Sequence, residues 1–547
     1  MIDCYKDIRM VSTDVLVVGS GLAGVMAAIW AAENGVKVMI TSETRIFSGS
    51  SFSGSMGWLG LLGPENKEDE DDFAQQILRL SRGMAYPELT HTVVRNVLSE
   101  VENLRSFGLN VTKKEAKGEK EFISCFDTKI RSFHLIPIED AYNALSKKLA
   151  STAVEQCPNT EIIKLIKNGD AICGAVAVDE RGPIQINCKS VILASGGMVH
   201  LFKYNFGNSN PAVLGQYLAL EAGAALTNIE YMQMMCGIIE PLEKQFFFER
   251  AIRFCEFYDP LTNERLLCSN DRNWDEALAI RSTHGPFSSE LESKYVDIAL
   301  YAAHKKNKKG VLSKYKEEIK NHKSDFLDTH FKLLKKEGIG IDDPIIIGSY
   351  YHASNGGIKI NACANTGIKG LFACGEATGG MHGADRIGGT SFSNCIVFGS
   401  IAGREAAKYS KHADTKICDT FIMPPIYQNV KHYINTIQEI TFDSMLICRN
   451  ETDLKKALSE FSRIDAELKV SANSFVKEAN VDDLRASVQL KSILQIARAV
   501  AEAELLRKES RGSHYREDYP EHDDSLAKRI LVSQKPDAEE LIIKFES

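Results

Sequence analysis

The chain has 547 residues and thirteen cysteines, yet no CxxC pair, no CxxCH and no cysteine cluster with metal-ligand spacing. That pattern argues against an iron–sulfur cluster, a structural zinc site or an attached haem within the chain. Scattered free thiols in a reducing compartment account for the cysteines. No apolar run reaches the roughly 18 residues that a membrane helix needs. The start, Met-Ile-Asp-Cys-Tyr-Lys-Asp-Ile-Arg, lacks the pattern of a signal peptide. Positive charge is not in excess: the net charge is −8, which gives no footprint for nucleic acid. The expectation is a cytoplasmic protein of two to four domains without a transmembrane segment.

Two glycine-rich segments stand out. The first is Thr13-Asp-Val-Leu-Val-Val-Gly-Ser-Gly-Leu-Ala-Gly24. Residues 15–18 form an apolar run, as in a strand buried on both faces. Gly19, Gly21 and Gly24 follow, then a helical stretch over residues 25–34 ending at Gly35, then a second strand over residues 36–40. In this βαβ setting, Gly19-x-Gly21-x-x-Gly24 reads as a dinucleotide-binding turn with the diphosphate on the helix N-terminus. The carboxylate that usually holds the ribose is missing. Ser42 stands at that position, with Glu43 next.

The second segment spans residues 370–391 and contains Gly375-Glu-Ala-Thr-Gly-Gly-Met-His-Gly-Ala-Asp-Arg-Ile-Gly-Gly389. Between the two lie a Gly/Ser loop over residues 48–57 and an acidic run over residues 65–72 that reads as a helix start. Short strands at residues 160–197 end in Ser-Gly-Gly197, and a mixed region holds Phe246, Phe247 and Phe248 with a lysine-rich helix near residues 305–323. From about residue 425 the pattern is helical, up to an exposed carboxy tail. No internal repeat appears.

Four stretches carry a family resemblance: residues 19–24, 190–197, 352–403 and 509–524. The chain resembles the flavoprotein subunits of succinate dehydrogenase and fumarate reductase, with relatives in L-aspartate oxidase, soluble fumarate reductase and adenylylsulfate reductase. The resemblance implies an α/β fold: a Rossmann-like FAD-binding domain (residues 1–225 and 351–424), interrupted by an α+β capping domain (226–350), then a C-terminal helical domain (425–547). It also implies an FAD-dependent oxidoreductase that passes hydride between flavin N5 and an activated C=C or CH–CH substrate.

Carried over residue by residue, the resemblance puts Gly19, Gly21, Gly24, Ser42, Ser50, Ser51, Gly54, Gly57, Gly196, Glu376 and Ser391 at the FAD. Glu376 would hold the ribitol or ribose, and Ser391 would touch the ring. Arg386 and His352 match the residues that grip a substrate carboxylate or carbonyl. A guanidinium suits that task because it offers a planar fork. As alternatives, Arg386 is a structural ion pair and His352 a satisfied core histidine.

Three departures from the family pattern matter. Ser50 stands where membrane-bound members carry the histidine that bonds FAD, so the cofactor is expected to be noncovalent. Met235, in Glu230-Tyr-Met-Gln-Met-Met-Cys-Gly237, takes the place of a substrate-binding histidine in Glu-Phe-x-Gln-Phe-His-Pro-Thr-Gly. Gly285-Pro286 takes the place of the arginine that protonates the substrate carbon. His284 and Arg281 are the candidates to move in, with surface or cap roles as the alternative. Each lost charge-assisted hydrogen bond is worth roughly 1.5–3 kcal/mol. The expected substrate is therefore a carboxylate-bearing small molecule with a more apolar end, and not fumarate. Aspartate-oxidase-like or adenylylsulfate-reductase-like chemistry, or a non-catalytic role in electron transfer within a complex, are the other readings. With no cluster or haem motif in the chain, electrons would pass through a separate iron–sulfur subunit or a diffusible carrier.

Overall fold

The computed structural model describes every residue except 1–7, 53–56, 112–124, 208–212, 268–272, 323–324, 415–422, 472–479, 536–538 and 547. Gly54, Cys4, Cys268 and Cys418 lie outside the described residues.

Strand Val15–Val18 is wholly buried and sits third in a five-stranded parallel sheet. Its neighbours are Ser190–Leu193, which pairs onward with Leu371–Ala373, and Val38–Thr41, which pairs onward with Glu155–Cys157. Parallel strands need crossovers that cover both faces, which is why these segments read as unbroken apolar runs. Helix Leu22–Glu33 supplies the first crossover and ends at Asn34, before Gly35 at φ 74°. Helix Thr390–His412 packs along it. One large hydrophobic core joins this sheet, the flanking helices and the C-terminal helices.

A second, smaller core draws on residues 236–347. It is built on a five-stranded sheet in which Met232–Glu240 runs antiparallel to Ile345–Ser354. Helix Lys294–Asn307 ends before Gly310, and the chain continues as strand Val311–Tyr315. The lysine-rich stretch expected as one helix is thus a helix and a strand, because Gly310 at φ 101° turns the chain.

Helices Val430–Met445, Glu451–Ser471 and Val481–Leu506 pack against one another. The last opens with Asn480 capping Asp482 and Asp483 in a reciprocal capping box. The expectation of an exposed tail after them is corrected. Ile530–Gln534 and Leu541–Phe545 form a hairpin, and its first strand pairs with Leu226–Thr227 in another five-stranded sheet. Glu546 fixes the end of this hairpin, accepting from Lys359 Nζ at 2.6 Å and Tyr86 Oη at 2.9 Å. A second correction concerns the thiols: nine described cysteines are free, but Cys173 is disulfide-bonded.

Candidate active site

The nucleotide end forms where strand Val15–Val18 runs into helix Leu22–Glu33. Gly19 has φ 104°, and a Cβ there would lie 2.4 Å from the carbonyl oxygen of Ala194 on the neighbouring strand's exit. Only a residue without a side chain fits. Gly21 caps the helix without a side-chain hydrogen bond, and the first turn has no acidic residue. Its N–H groups and dipole are left for an anion. Gly24 belongs to the first turn.

The 48–51 loop hangs over this N-terminus. A Cβ on Gly21 would come within 3.9 Å of Ser51 Oγ. Ser48 Oγ lies 3.0 Å from Ser42 Oγ and 3.2 Å from Ser20 Oγ. Three serine hydroxyls cluster at the position where the ribose carboxylate is absent. Ser50 is exposed, and Gly57, at φ 72°, leads into strand Trp58–Gly63. Gly196 also has positive φ, with open space beside it.

Glu376 follows strand Leu371–Ala373 and accepts from the Ser354 N–H at 2.9 Å. Burial holds its carboxyl above the usual range. These features fit an FAD: an anion-seeking helix end, a cluster of hydroxyls and a carboxylate placed to meet sugar hydroxyls.

Arg386 is buried, 7% exposed, and its guanidinium is spread across three partners. Nε donates to Gln233 Oε1 at 2.9 Å, Nη1 donates to Ser391 Oγ at 2.9 Å, and Nη2 lies 3.5 Å from His352 Nε2. None of the three is a carboxylate, and among the described residues no carboxylate hydrogen-bonds the guanidinium. Burial lowers the Arg386 pKa from its ordinary value, with Glu376 opposing. Burial and the Arg386 charge push His352 down to about 3. The ring is neutral at physiological pH, and its Nδ1 is buried without a protein partner. A buried guanidinium whose hydrogen-bond partners are neutral favours an anion beside it.

Sequence reasoning misses Gln233 as a site residue, although it lies in the 230–237 stretch, and it misses His382. The His382 ring is buried, and burial together with Arg386 holds its pKa well below the ordinary value.

The two departures from the family pattern meet in space. A Cβ on Gly285 would lie 3.0 Å from Met235 Cε and 3.9 Å from Cys125 Sγ. The Gly285 N–H donates to Cys125 Sγ at 3.3 Å, and the Cys125 carbonyl accepts from Gly388 N–H at 3.2 Å, two residues from Arg386. Burial pushes the Cys125 thiol up to about 11, so it stays protonated.

Arg281 and His284 are engaged elsewhere. Arg281 is 1% exposed, pairs through Nε with Asp297 at 2.7 Å, and donates to the carbonyls of His284 and Gly285. His284 places its ring nitrogens 2.7 Å from the Pro286 carbonyl and 2.8 Å from Ser293 Oγ. Both hold the 284–286 loop in shape, and burial and Arg281 push His284 down to about 3.

A dinucleotide turn joined to a buried Arg386–His352 pair fits a flavoprotein oxidoreductase. Residues 14–254 and 281–392 match the FAD binding domain family, and residues 434–547 match the fumarate reductase flavoprotein C-terminal family. The chain belongs to this family of FAD-dependent oxidoreductases related to fumarate reductase and succinate dehydrogenase flavoproteins. It is 28% identical to an uncharacterized FAD-dependent oxidoreductase of Methanocaldococcus jannaschii, over 96% of each chain. It is 25% identical to a fumarate reductase (CoM/CoB) chain of Methanothermobacter marburgensis, over 95% of this chain and 97% of that one. Among solved structures, the Mycobacterium smegmatis Sdh1 complex superposes with a TM-score of 0.80 at 23% identity, covering 98% of this chain and 94% of that one. Among the described residues, no helix is long and apolar enough to cross a membrane.

Proposed function

We propose that the protein reduces the activated C=C bond of a carboxylate-bearing small molecule, or runs the reverse dehydrogenation, and that fumarate is not its substrate. The supporting observation is the Arg386–His352 pair, 3.5 Å apart, with no carboxylate hydrogen-bonded to the guanidinium among the described residues. FAD, when bound, supplies two-electron hydride chemistry at N5. The chain's own residues do the rest. Arg386 binds the substrate carboxylate and orients it. His352, held neutral, donates or accepts one hydrogen bond at the far side of the same group. Gln233 and Ser391 keep the guanidinium from swinging away.

The family's two donor side chains are replaced here by Met235 and Gly285, which lie side by side, and that argues against a C4-dicarboxylate, because a thioether is a poor partner for an anion. Glu249 and Arg250 act electrostatically on Cys125, so charged side chains lie close to that spot. The protonated Cys125 thiol is the titratable group bonded to Gly285 there. Arg281 and His284 act as positioning residues.

Ser50 cannot form a histidyl bond, so FAD is held without a covalent link. Trichloroacetic acid should release all yellow colour into the supernatant, and pigment remaining on the precipitated chain would refute this. A separate redox protein or a diffusible carrier supplies the electrons. The substrate reading is tested with viologen-reduced, FAD-loaded protein offered fumarate, 2-butenoate, aspartate, and sulfite with AMP. Turnover of the monocarboxylate supports the reading; brisk turnover of fumarate overturns it.

A further inference from the structure

Strand Met232–Glu240 presents Gln233, Met235 and Gly237 at alternate positions, and alternate residues of a strand share a face. Contacts agree: Gln233 meets Arg386, Met235 meets the Gly285 loop, and Gly237 faces two rings. A Cβ on Gly237 would lie 2.6 Å from Tyr350 Cδ2 and 2.9 Å from Phe206 Cε1. The missing side chain is what lets Phe206 lie flat on the sheet. Phe206 stacks on Tyr350 at 4.9 Å between centroids and on Phe246 at 4.0 Å. Tyr350 is buried, whereas Phe206, Phe246 and Met235 stay half-buried.

This aromatic tier begins at the clamp itself. The His352 ring stands edge-on to Phe246 at 5.3 Å and to Phe206 at 6.2 Å. A ligand gripped by Arg386 and His352 therefore has a buried cation at one end and, beside the His352 ring, the half-buried Phe246, which Phe206 and Tyr350 back as a stack. Isolated half-exposed rings carry no meaning, but stacked rings bordering an anion clamp make a complementary surface for a flat apolar group.

Resting on the reading that this site takes carboxylate-bearing enoates, we propose that the substrate carries an aromatic ring conjugated to the double bond, as in a 3-arylacrylate. Gly237 and Phe246 are the specificity-determining residues. Arg386 takes the carboxylate and Phe246 takes the ring, with Phe206 stacked behind Phe246.

The test is direct binding to FAD-loaded protein, monitored by calorimetry and by perturbation of the flavin absorbance. The probes are 3-phenylacrylate, 2-butenoate and fumarate. 3-Phenylacrylate should bind roughly tenfold or more tighter than 2-butenoate, the size expected for one added aromatic contact. Phe246→Ala should cut that preference, read as the ratio of the two affinities in the same variant, to within about threefold. Gly237→Val, which drives a side chain into Tyr350 and Phe206 behind Phe246, should do the same. Equal affinity for the two monocarboxylates in the unaltered protein overturns the proposal, and so does a preference that survives Phe246→Ala. If the monocarboxylates bind equally yet reoxidise reduced flavin, the aromatic proposal alone has failed. If no carboxylate perturbs the flavin, the clamp reading fails with it.

Discussion

Gln233 holds Arg386 in place: its amide oxygen accepts from the guanidinium Nε at 2.9 Å across 153 residues of sequence. That leaves Nη2 as the edge facing His352. Gln233→Leu should free the guanidinium to rotate and leave a buried donor unmet. A hydrogen bond to a charged group is worth roughly 1.5–3 kcal/mol, so substrate affinity should fall about 10- to 100-fold. Flavin content should not change, because Gln233 meets the substrate arginine and not the nucleotide end. Titration by flavin absorbance checks both.

His352 is held neutral, since burial and Arg386 push its pKa to about 3. His352→Gln should therefore keep substrate affinity within a few-fold, and His352→Leu should lose roughly tenfold or more. A cationic role would make the two variants equally poor. Dissociation constants at pH 7 distinguish the cases.

The carboxy-terminal segment is locked to the substrate sheet by buried charge. Arg507 donates to Glu230 and to Glu509, each at 2.8 Å, with all three side chains inaccessible to solvent. Glu509 also holds Arg511 at 2.8 Å. Removing one member of such a set leaves uncompensated charge, at a cost of about 3–5 kcal/mol. Arg507→Ala should lower the stability read from urea unfolding by that amount and expose the Ile530–Gln534 hairpin to protease.

Much of this was legible in the chain, and the reason is range. The Val15–Val18 strand, its glycine turn and the helix behind it are local patterns, and they read correctly from apolar runs and spacing. The Arg386 motif was legible because its glycines and arginine are consecutive. Gln233 escaped notice as a partner of Arg386 because the contact joins two sheets' worth of intervening chain. The Phe206–Phe246 stack escaped for the same reason: nothing local marks Gly237 as the gap that admits a ring. The terminal hairpin was hidden by its charged surroundings, where alternation in five-residue strands is a weak signal.

Glu161 gives a pH dependence with a definite sign. Burial, then the nearby Glu43, raises its pKa to about 8. Because this folded value exceeds the ordinary carboxylate value, its stabilising contribution is complete below about pH 4.5 and drains away as pH rises toward 8. Glu161→Gln removes that loss. Relative to the unaltered protein, the variant should gain thermal stability as pH rises from about 4.5 to about 8, as read by melting temperature. An unchanged difference across that range would place the carboxyl in its ordinary ionised state.

The central claim is that Arg386 holds a substrate carboxylate at the flavin of an enzyme, and stopped-flow kinetics test it most directly. Anaerobically reduced, FAD-loaded protein is mixed with 3-phenylacrylate or 2-butenoate, and flavin reoxidation is followed in the unaltered protein and in Arg386→Gln. The account predicts rapid reoxidation that falls about 100-fold in the variant, with flavin content intact. Equal rates in the two proteins, or reoxidation by external electron carriers alone, would contradict it.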